Sequence, residues 1–298
     1  MDRKGKEIPI IHLPDLGLSA RDGYFYAGRL EELPDSFREY ESSHRHSYFA
    51  IFLFLEGSGE HTIDFEHYTI GPGSLFFLKP GQVHSWTFQS KPAGFALKIS
   101  PEYFSEVTKD ASTIRDFSFF QIGRSRSKMC LDASEQLRSD FARLADEYAN
   151  GAERRMLYTL SQLILLQIEK EYGIRTGIAP EEAVAFAFQR ILEEHFLTRR
   201  STSFYSRRLF LSPASLNREC HRTLGKSAKA IIHDRIVLEI KRLLIHSNHS
   251  MNQICHELGF SDNAYFSRYF KKRTGVSPES YRSEKRKAQQ NTQTVHLH

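Results

Sequence analysis

The spacing of hydrophobic residues divides the chain into two parts with different predicted secondary structure. Between residues 24 and 99, short β-branched and aromatic runs alternate with turn signals, as expected of strands. Residues 49–55 form one such run, residues 56–59 predict a hairpin turn, and residues 61–65 predict the returning strand. Many short strands with regular turns are typical of a small barrel or sandwich.

The hydrophobic residues after residue 101 follow the helical period instead. They predict helices at residues 101–107, 131–148, 154–172 and 181–196. The third of these has a broad apolar face, which needs a cover from its neighbours or from the same helix of a second subunit. That face consists of Leu157, Leu160, Leu163, Ile164, Leu166 and Ile168. Residues 173–180 then predict a flexible linker.

The sharpest pattern, at residues 258–282, is a short helix, a tight turn and a second helix that ends before Gly275. Phe266 and Phe270 lie four residues apart, so they share one buried face of the second helix. The opposite face suits the DNA major groove, where Arg reads guanine and Asn reads adenine, and lysines at the far end can neutralise phosphates. The alternative interpretation is a solvated basic face on an ordinary helix. The predicted DNA-contacting residues are Asn263, Ala264, Ser267, Arg268, Lys271, Lys272 and Arg273.

A second copy of this pattern lies about 50 residues earlier in the sequence. Residues 203–209 and 213–224 predict its two helices, with Ser212 as the cap and Pro213 at the first helical position. Its outward residues are Ala214, Asn217, Arg218, His221 and Arg222. One long helix at residues 227–245 separates the copies and spans about 28 Å. That length approaches the roughly 34 Å between major-groove openings on one face of DNA, so one chain can read two grooves.

Residues from about 180 to 283 resemble the DNA-binding domain of the AraC/XylS family of bacterial transcriptional regulators. The matching residues are Leu258, Gly259, Phe260, Tyr265, Phe266, Ser267, Arg268, Phe270, Lys271, Lys272, Gly275, Ser277, Pro278, Tyr281 and Arg282. The resemblance implies seven helices with two helix-turn-helix units, binding to double-stranded DNA, and activation of transcription with RNA polymerase as a partner. It also favours a homodimer held by the helices between the domains.

Charge and cysteine content agree with a chain in which only the C-terminal part binds DNA. Residues 180–298 hold 20 Lys and Arg against 11 Asp and Glu, whereas residues 1–179 hold 21 against 25. Only the basic half is therefore expected to meet nucleic acid. The three cysteines form no C-x-x-C motif, which favours reduced thiols, and no apolar run suggests a signal peptide or membrane span. We therefore expect a cytoplasmic protein without membrane contact.

The strand-rich half resembles a cupin, the β-barrel that commonly precedes such DNA-binding domains. The resemblance rests on His44 and His46, on the 73–84 stretch that ends at His84, and on their spacing. Three imidazoles suit zinc, iron or nickel, but the metal-binding pattern also needs a glutamate where this chain has Phe49 or Ala50. We therefore predict a ligand pocket without metal or other cofactor. The predicted effector-binding residues are His44, His46, Tyr48, Phe77, His84 and Trp86; His61 is interpreted as a surface residue of the hairpin.

The sequence as a whole predicts a two-domain protein, with an all-β cupin-like barrel followed by an all-α domain. The expected boundaries are 1–125 for the effector domain, 126–176 for a helical dimerisation segment, 177–284 for the DNA-binding domain and 285–298 for a disordered tail. Common catalytic motifs are absent, including G-x-S-x-G, the phosphate loop, the dinucleotide fingerprint and H-E-x-x-H. The predicted function is an activator controlled by a sugar or small organic acid. The alternatives are a cupin isomerase or dioxygenase fused to a DNA-binding module and a ligand-independent dimeric regulator.

Overall fold

A computed structural model describes residues 9–16, 24–33, 42–108, 114, 117–120, 127–130, 135–176 and 183–295. The chain forms two compact units, one over residues 9–186 and the other over residues 187–298. None of the helices in the described ranges has the length and hydropathy of a membrane span.

The first unit contains two facing β-sheets. Its strands are β1 (Ile10–Ile11), β2 (Phe25–Arg29), β3 (Arg45–His46), β4 (Phe49–Glu56), β5 (Gly59–Ile63), β6 (Glu66–Ile70), β7 (Ser74–Leu78), β8 (His84–Phe88), β9 (Ala93–Ile99) and β10 (Lys128–Cys130). The larger sheet has the order β10-β7-β4-β9-β2 and the smaller has the order β6-β5-β8, while β1 pairs in parallel with β3. Strand-rich architecture in this half confirms the predicted fold class.

Alternation along the strands of the larger sheet separates two hydrophobic cores. On β4, Phe49, Ile51 and Leu53 belong to the outer core. The intervening Ala50 and Phe52 belong to the inner core between the two sheets. The strands β7 and β9 divide their side chains in the same way, so every second residue of these strands points toward the smaller sheet.

The predicted hairpin at residues 56–59 is wrong in one respect. The strands β4 and β5 do not pair with each other, because β4 pairs with β7 and β9 while β5 pairs with β6 and β8. The chain instead crosses from one sheet to the other through Gly57, whose φ of 102° is unfavourable for other residues. A Cβ atom there would lie 2.8 Å from the Cα atom of Pro92.

Three helices pack against the outer face of the larger sheet: α1 (Pro101–Thr108), α2 (Glu135–Ala149) and α3 (Arg154–Thr176). Their apolar residues, including Leu144, Ile164 and Ile168, complete the outer core. Helix α3 continues through Gly173 to Thr176, so the helix ends four residues later than predicted. The rest of the predicted linker, residues 177–180, lies outside the described residues.

The second unit is helical, as predicted, and its first helix begins four residues before the boundary between the units. Its helices are α4 (Ala183–His195), α5 (Thr202–Arg208), α6 (Pro213–Leu224), α7 (Ala228–His246), α8 (Met251–Glu257), α9 (Asn263–Thr274) and α10 (Pro278–Val295). The Ser212 hydroxyl accepts a hydrogen bond from the backbone N–H of Ser215 at the start of α6, and Asp262 accepts one from Tyr265 at the start of α9. Left-handed Gly225 and Gly275 end these two helices.

Helix α7 passes through the centre of this unit. Its apolar residues Ile232, Ile240 and Leu244 are completely buried. Charged residues on the same helix are also buried and paired: Glu239 accepts hydrogen bonds from Arg235 at 3.0 Å and from Arg242 at 3.1 Å. Arg235 also donates to Glu193 of α4 at 2.8 Å, which links the two helices by a charge-assisted bond.

The final helix differs from the prediction of a short helix followed by a disordered tail from residue 285. Helix α10 runs without a break from Pro278 to Val295. Residues 285–295 contain no Gly or Pro and include several strong helix formers, so nothing local ends the helix where the polar, uncapped sequence suggested. Residues 296–298 lie outside the described residues.

Candidate functional site

Helix α9 separates a buried aromatic side from an exposed polar side, as predicted. Phe266 and Phe270 are fully buried, and Tyr269 packs beside them. The predicted DNA-facing residues are exposed, except that Ser267 is half-buried; the exposed ones are Asn263, Ala264, Arg268, Lys271, Lys272 and Arg273. The Arg273 guanidinium lies 3.7 Å from the centre of the Tyr269 ring, so this cation is held against its own helix.

Helix α6 has the same organisation in the first copy. Leu216 and Cys220 are fully buried. The exposed predicted residues are Ala214, Arg218, His221 and Arg222, of which Arg222 pairs with Glu219 at 2.9 Å.

Asn217 occupies a different position from the one predicted. It is half-buried, and its side-chain oxygen accepts a hydrogen bond of 3.0 Å from the backbone N–H of Ala228 at the start of α7. The contact satisfies one of the free N–H groups of that helix terminus. The structure therefore gives Asn217 a positioning role between α6 and α7, which periodicity alone does not reveal.

Four histidines meet between the two sheets of the first unit. His44, His46, His61 and His84 are each at least 96 % buried. The two closest contacts are 2.8 Å between the Nε2 atoms of His84 and His46, and 3.0 Å between His61 Nε2 and His84 Nδ1. The convergence of His44, His46 and His84 agrees with the prediction, whereas the assignment of His61 to the surface is wrong.

The hydrogen bonds of these imidazoles determine where their protons lie. His46 Nδ1 contacts the Tyr48 carbonyl oxygen at 3.3 Å, and a carbonyl only accepts, so this nitrogen carries a proton. In the neutral cluster, His61 Nε2 therefore donates to His84, and His84 Nε2 donates to His46. Burial keeps the pKa of His46, His61 and His84 well below the usual 6.5, with a further lowering from the neighbouring imidazoles. His61, His84 and His46 thus form a directed chain of neutral imidazoles.

Aromatic rings and one lysine surround the histidines. His46 stacks on Tyr48 at 4.4 Å, and His61 lies 4.2 Å from Trp86. The Lys98 ammonium lies 5.3 Å from the Tyr26 ring and 5.9 Å from the Tyr48 ring. Burial lowers the pKa of Lys98 to about 7. Lys98 and His61 are therefore site residues that the sequence interpretation missed, although the strand alternation of Ala96 and Lys98 contained the signal for the first.

Phe77 lies on the opposite side of the sheet from this cluster, so its predicted place in the pocket is wrong. Its ring packs 4.7 Å from Phe119 and 5.9 Å from Tyr172 in the outer core. The neighbouring Phe76 points inward instead and lies 4.6 Å from His61. A one-residue shift in a strand reverses the face, which explains the error.

The same cluster includes, among the residues that the structure describes, one group of side chains close enough together to hold a metal ion. One ring nitrogen each from His44, His46 and His84 lies within 4.8 Å of the others. Ligands around a tetrahedral zinc ion lie about 3.3 Å apart, so a small adjustment would accommodate one ion. An ion would displace the proton shared by His84 and His46. The position of the expected glutamate is taken by Phe49 and Ala50, which supply no carboxylate.

A duplicated, basic helix-turn-helix unit and a β-domain with a polar interior define a DNA-binding regulator with a sensory domain. Comparison with known proteins agrees. Residues 35–163 match the model of the AraC-like ligand binding domain, and residues 205–284 match a helix-turn-helix domain model. The chain belongs to the AraC family of transcriptional regulators, in which a ligand-binding domain controls a DNA-binding domain.

Curated relatives align with this chain over most of their length. The transcriptional activator RhaS of Salmonella arizonae is 22 % identical over 243 residues, which cover 80 % of this chain and 86 % of that protein. RhaS of Pectobacterium carotovorum is 23 % identical over 252 residues, covering 81 % and 87 %. Among solved structures, ToxT of Vibrio cholerae aligns with a TM-score of 0.43 at 16 % identity over 87 % of this chain and 98 % of its own.

We expect acid to destabilise the first unit through the histidine cluster. The folded pKa of His46, His61 and His84 lies below the unfolded value, so the unfolded state binds protons first as pH falls below 6.5. Each histidine that stays neutral then costs about 1.4 kcal/mol of unfolding free energy per pH unit. Urea unfolding between pH 6.5 and 5 measures this slope. The His61→Gln variant should show a smaller slope, by about one proton; equal slopes would contradict the assignment.

Proposed function

We propose that this protein is a cytoplasmic activator that binds two adjacent major-groove segments of double-stranded DNA and contacts RNA polymerase when a small organic acid occupies the first unit. The observation that carries the DNA-binding part is the pair of equivalent helices, α6 and α9, which both bury one side and expose a basic polar side. The RhaS relatives are named transcriptional activators, which supports activation of transcription over repression.

Arg218 and Arg268 are proposed to read bases. Both are exposed, and they occupy equivalent positions in the two copies. Ala214 and Ala264 lie one helical turn earlier on the same faces, where small side chains allow close approach to the groove. His221 and Lys271 complete the two faces, and Arg222, Lys272 and Arg273 are proposed to neutralise phosphates, with Ser267 and Asn263 at the edge.

Arg218→Ala and Arg268→Ala should each weaken binding to cognate DNA by roughly 1–3 kcal/mol and relax the sequence preference, because a bidentate contact to guanine is lost. The matched control is Lys272→Ala, which should weaken all sequences similarly and reduce the salt dependence of binding. Fluorescence anisotropy with DNA selected from a random pool, and with unrelated DNA, measures both. Equal losses on the two DNAs for the arginine variants would exclude base reading.

The effector proposal rests on the charge of the inner core. Among the buried polar residues that the structure describes in the β-sheets, the ionisable ones are His44, His46, His61, His84 and Lys98, and no carboxylate is present. Such a set can donate hydrogen bonds and one positive charge, which suits an anion better than a neutral sugar. The surrounding rings of Tyr48 and Trp86 occupy much of the interior, so we infer a ligand of few heavy atoms.

Effector binding can change transcription only if the ligand favours one arrangement of the protein over another. A carboxylate beside Lys98 would stabilise the charged amine, whose pKa burial has lowered to about 7. Binding is therefore expected to raise that pKa, because a charge-assisted contact would compensate for the lost hydration of the buried amine.

Lys98→Met should weaken effector binding while leaving the unit folded, because it removes the buried charge but retains the apolar stem. A thermal-shift screen of small organic acids and sugars on the wild-type protein identifies a ligand that raises the melting temperature. We expect an acid to do so, and its Kd to weaken at least tenfold in the variant. A response to sugars alone, or an acid response that survives Lys98→Met, would contradict the proposal. Stabilisation by zinc alone would point to the metal alternative.

The apolar face of α3 is proposed to form a homodimer. Four large hydrophobic residues on this helix are exposed, although the rest of its apolar residues are buried: Met156, Leu163, Leu166 and Ile174, with exposures of 43, 43, 59 and 69 %. At 100° per residue they fall on one side of the helix. A second copy of the same helix provides a self-complementary cover.

Replacing Leu163 and Leu166 by Glu should therefore shift the protein toward monomers, because two carboxylates would have to be buried in the interface. Sedimentation equilibrium should show a dimer dissociation constant at least tenfold larger than that of the wild type. Arg143→Glu, at an exposed position of α2, is the matched charge control. An unchanged oligomeric state in the double variant would exclude this surface.

A further inference from the structure

Phe210, in the turn between α5 and α6, combines a strained backbone with an exposed aromatic side chain. Its φ is 56°, and Asp64 is the other non-glycine residue of the described chain with a positive φ. Aspartate tolerates this conformation, whereas a bulky aromatic residue rarely adopts it. The Phe210 side chain is nevertheless 96 % exposed, so it stabilises no core in return.

The second helix-turn-helix copy supplies an internal comparison. Its equivalent position, 49 residues later, is Gly259 with a φ of 65°. The hydrogen bonds of the two turns match residue for residue: Leu211 N–H donates to the Ser206 carbonyl at 2.9 Å, and Phe260 N–H donates to the Cys255 carbonyl at 2.9 Å. The turn therefore requires a left-handed residue, and glycine fulfils that requirement without strain.

The residues beside the turn also differ between the copies. Arg207 and Arg208 precede Phe210 and are exposed, whereas the equivalent residues before Gly259 are His256 and Glu257. The first turn thus presents an aromatic side chain next to two cations. The second turn has a glycine at that position, next to a histidine and a glutamate. Neither the turn geometry nor a core contact therefore accounts for a phenylalanine at this position.

We propose that Phe210, flanked by Arg207 and Arg208, docks into an apolar pocket with an acidic rim on RNA polymerase. This inference rests on the proposed activator function. Single aromatic anchors beside arginine are typical of the residues that dominate protein interfaces, and the two cations complement an acidic rim. DNA is the weaker candidate, because insertion of a ring into a duplex requires unstacking of base pairs.

The Phe210→Gly variant tests this directly, because it removes the ring and gives the turn the residue of the second copy. Full-length protein on DNA selected from a random pool is titrated with purified RNA polymerase holoenzyme. We expect DNA affinity within twofold of wild type, a melting temperature no lower than wild type, and at least tenfold weaker recruitment of polymerase. Phe210→Asn should behave in the same way, since asparagine tolerates a positive φ. Phe210→Trp should retain recruitment within threefold.

The outcomes separate the possible failures. Unchanged recruitment in Phe210→Gly would overturn the docking proposal. A tenfold loss of DNA affinity without polymerase would assign Phe210 to DNA, and a lower melting temperature would assign it to the fold; both overturn the proposal. If wild-type protein binds its DNA and recruits no polymerase, the proposed activator function itself fails.

Discussion

The packing of helix α7 is the constraint on which the DNA-binding unit depends. Helices of both helix-turn-helix copies contact α7, so its buried residues fix the positions of α6 and α9 relative to each other. Arg235, Glu239 and Arg242 of α7 form a buried ion network that also reaches Glu193 of α4. A buried ion network is costly to leave partly satisfied, and this favours a single arrangement of the helices. The hydrogen bond between Asn217 of α6 and the start of α7 adds a further connection between these two helices.

Period-two alternation has the same role in the first unit. It sends one set of side chains toward the helices and the other toward the space between the sheets, where the histidines, Lys98 and the aromatic rings meet. The polar groups are therefore concentrated in a closed interior, where a missing partner costs more than at a surface. The two units thus solve different problems: one holds exposed cations at fixed positions, and the other holds buried polar groups together.

Much of this could be predicted from the sequence, because caps and periodicity are local. Ser212, Pro213 and Gly225 determine the limits of α6, and the spacing of His44, His46 and His84 determines their convergence. The failures share one cause, since they depend on which elements become neighbours. His61 was assigned to a surface hairpin, but the chain crosses to the other sheet at Gly57. The sequence places Phe77 on the wrong face of its strand, and it does not predict the contact of Asn217 with the start of α7.

Local rules also break where function is proposed. Phe210 adopts a backbone conformation that its own repeat gives to glycine, and Lys98 is buried where an apolar residue would be less costly. Departures of this kind concentrate at functional sites, because there the contact that compensates for them lies with a ligand or a partner.

The most direct measurement is a footprint of the full-length protein on DNA selected from a random pool, repeated with 5 base pairs inserted between the two protected segments. If α7 holds the two reading helices at a fixed separation, protection should cover two major-groove segments about one helical turn apart, or about 10 base pairs. The half-turn insertion should then weaken binding at least tenfold, because either α6 or α9 would face the wrong side of the duplex. A single protected segment, or an affinity for DNA that the insertion leaves unchanged, would contradict the fixed separation of α6 and α9.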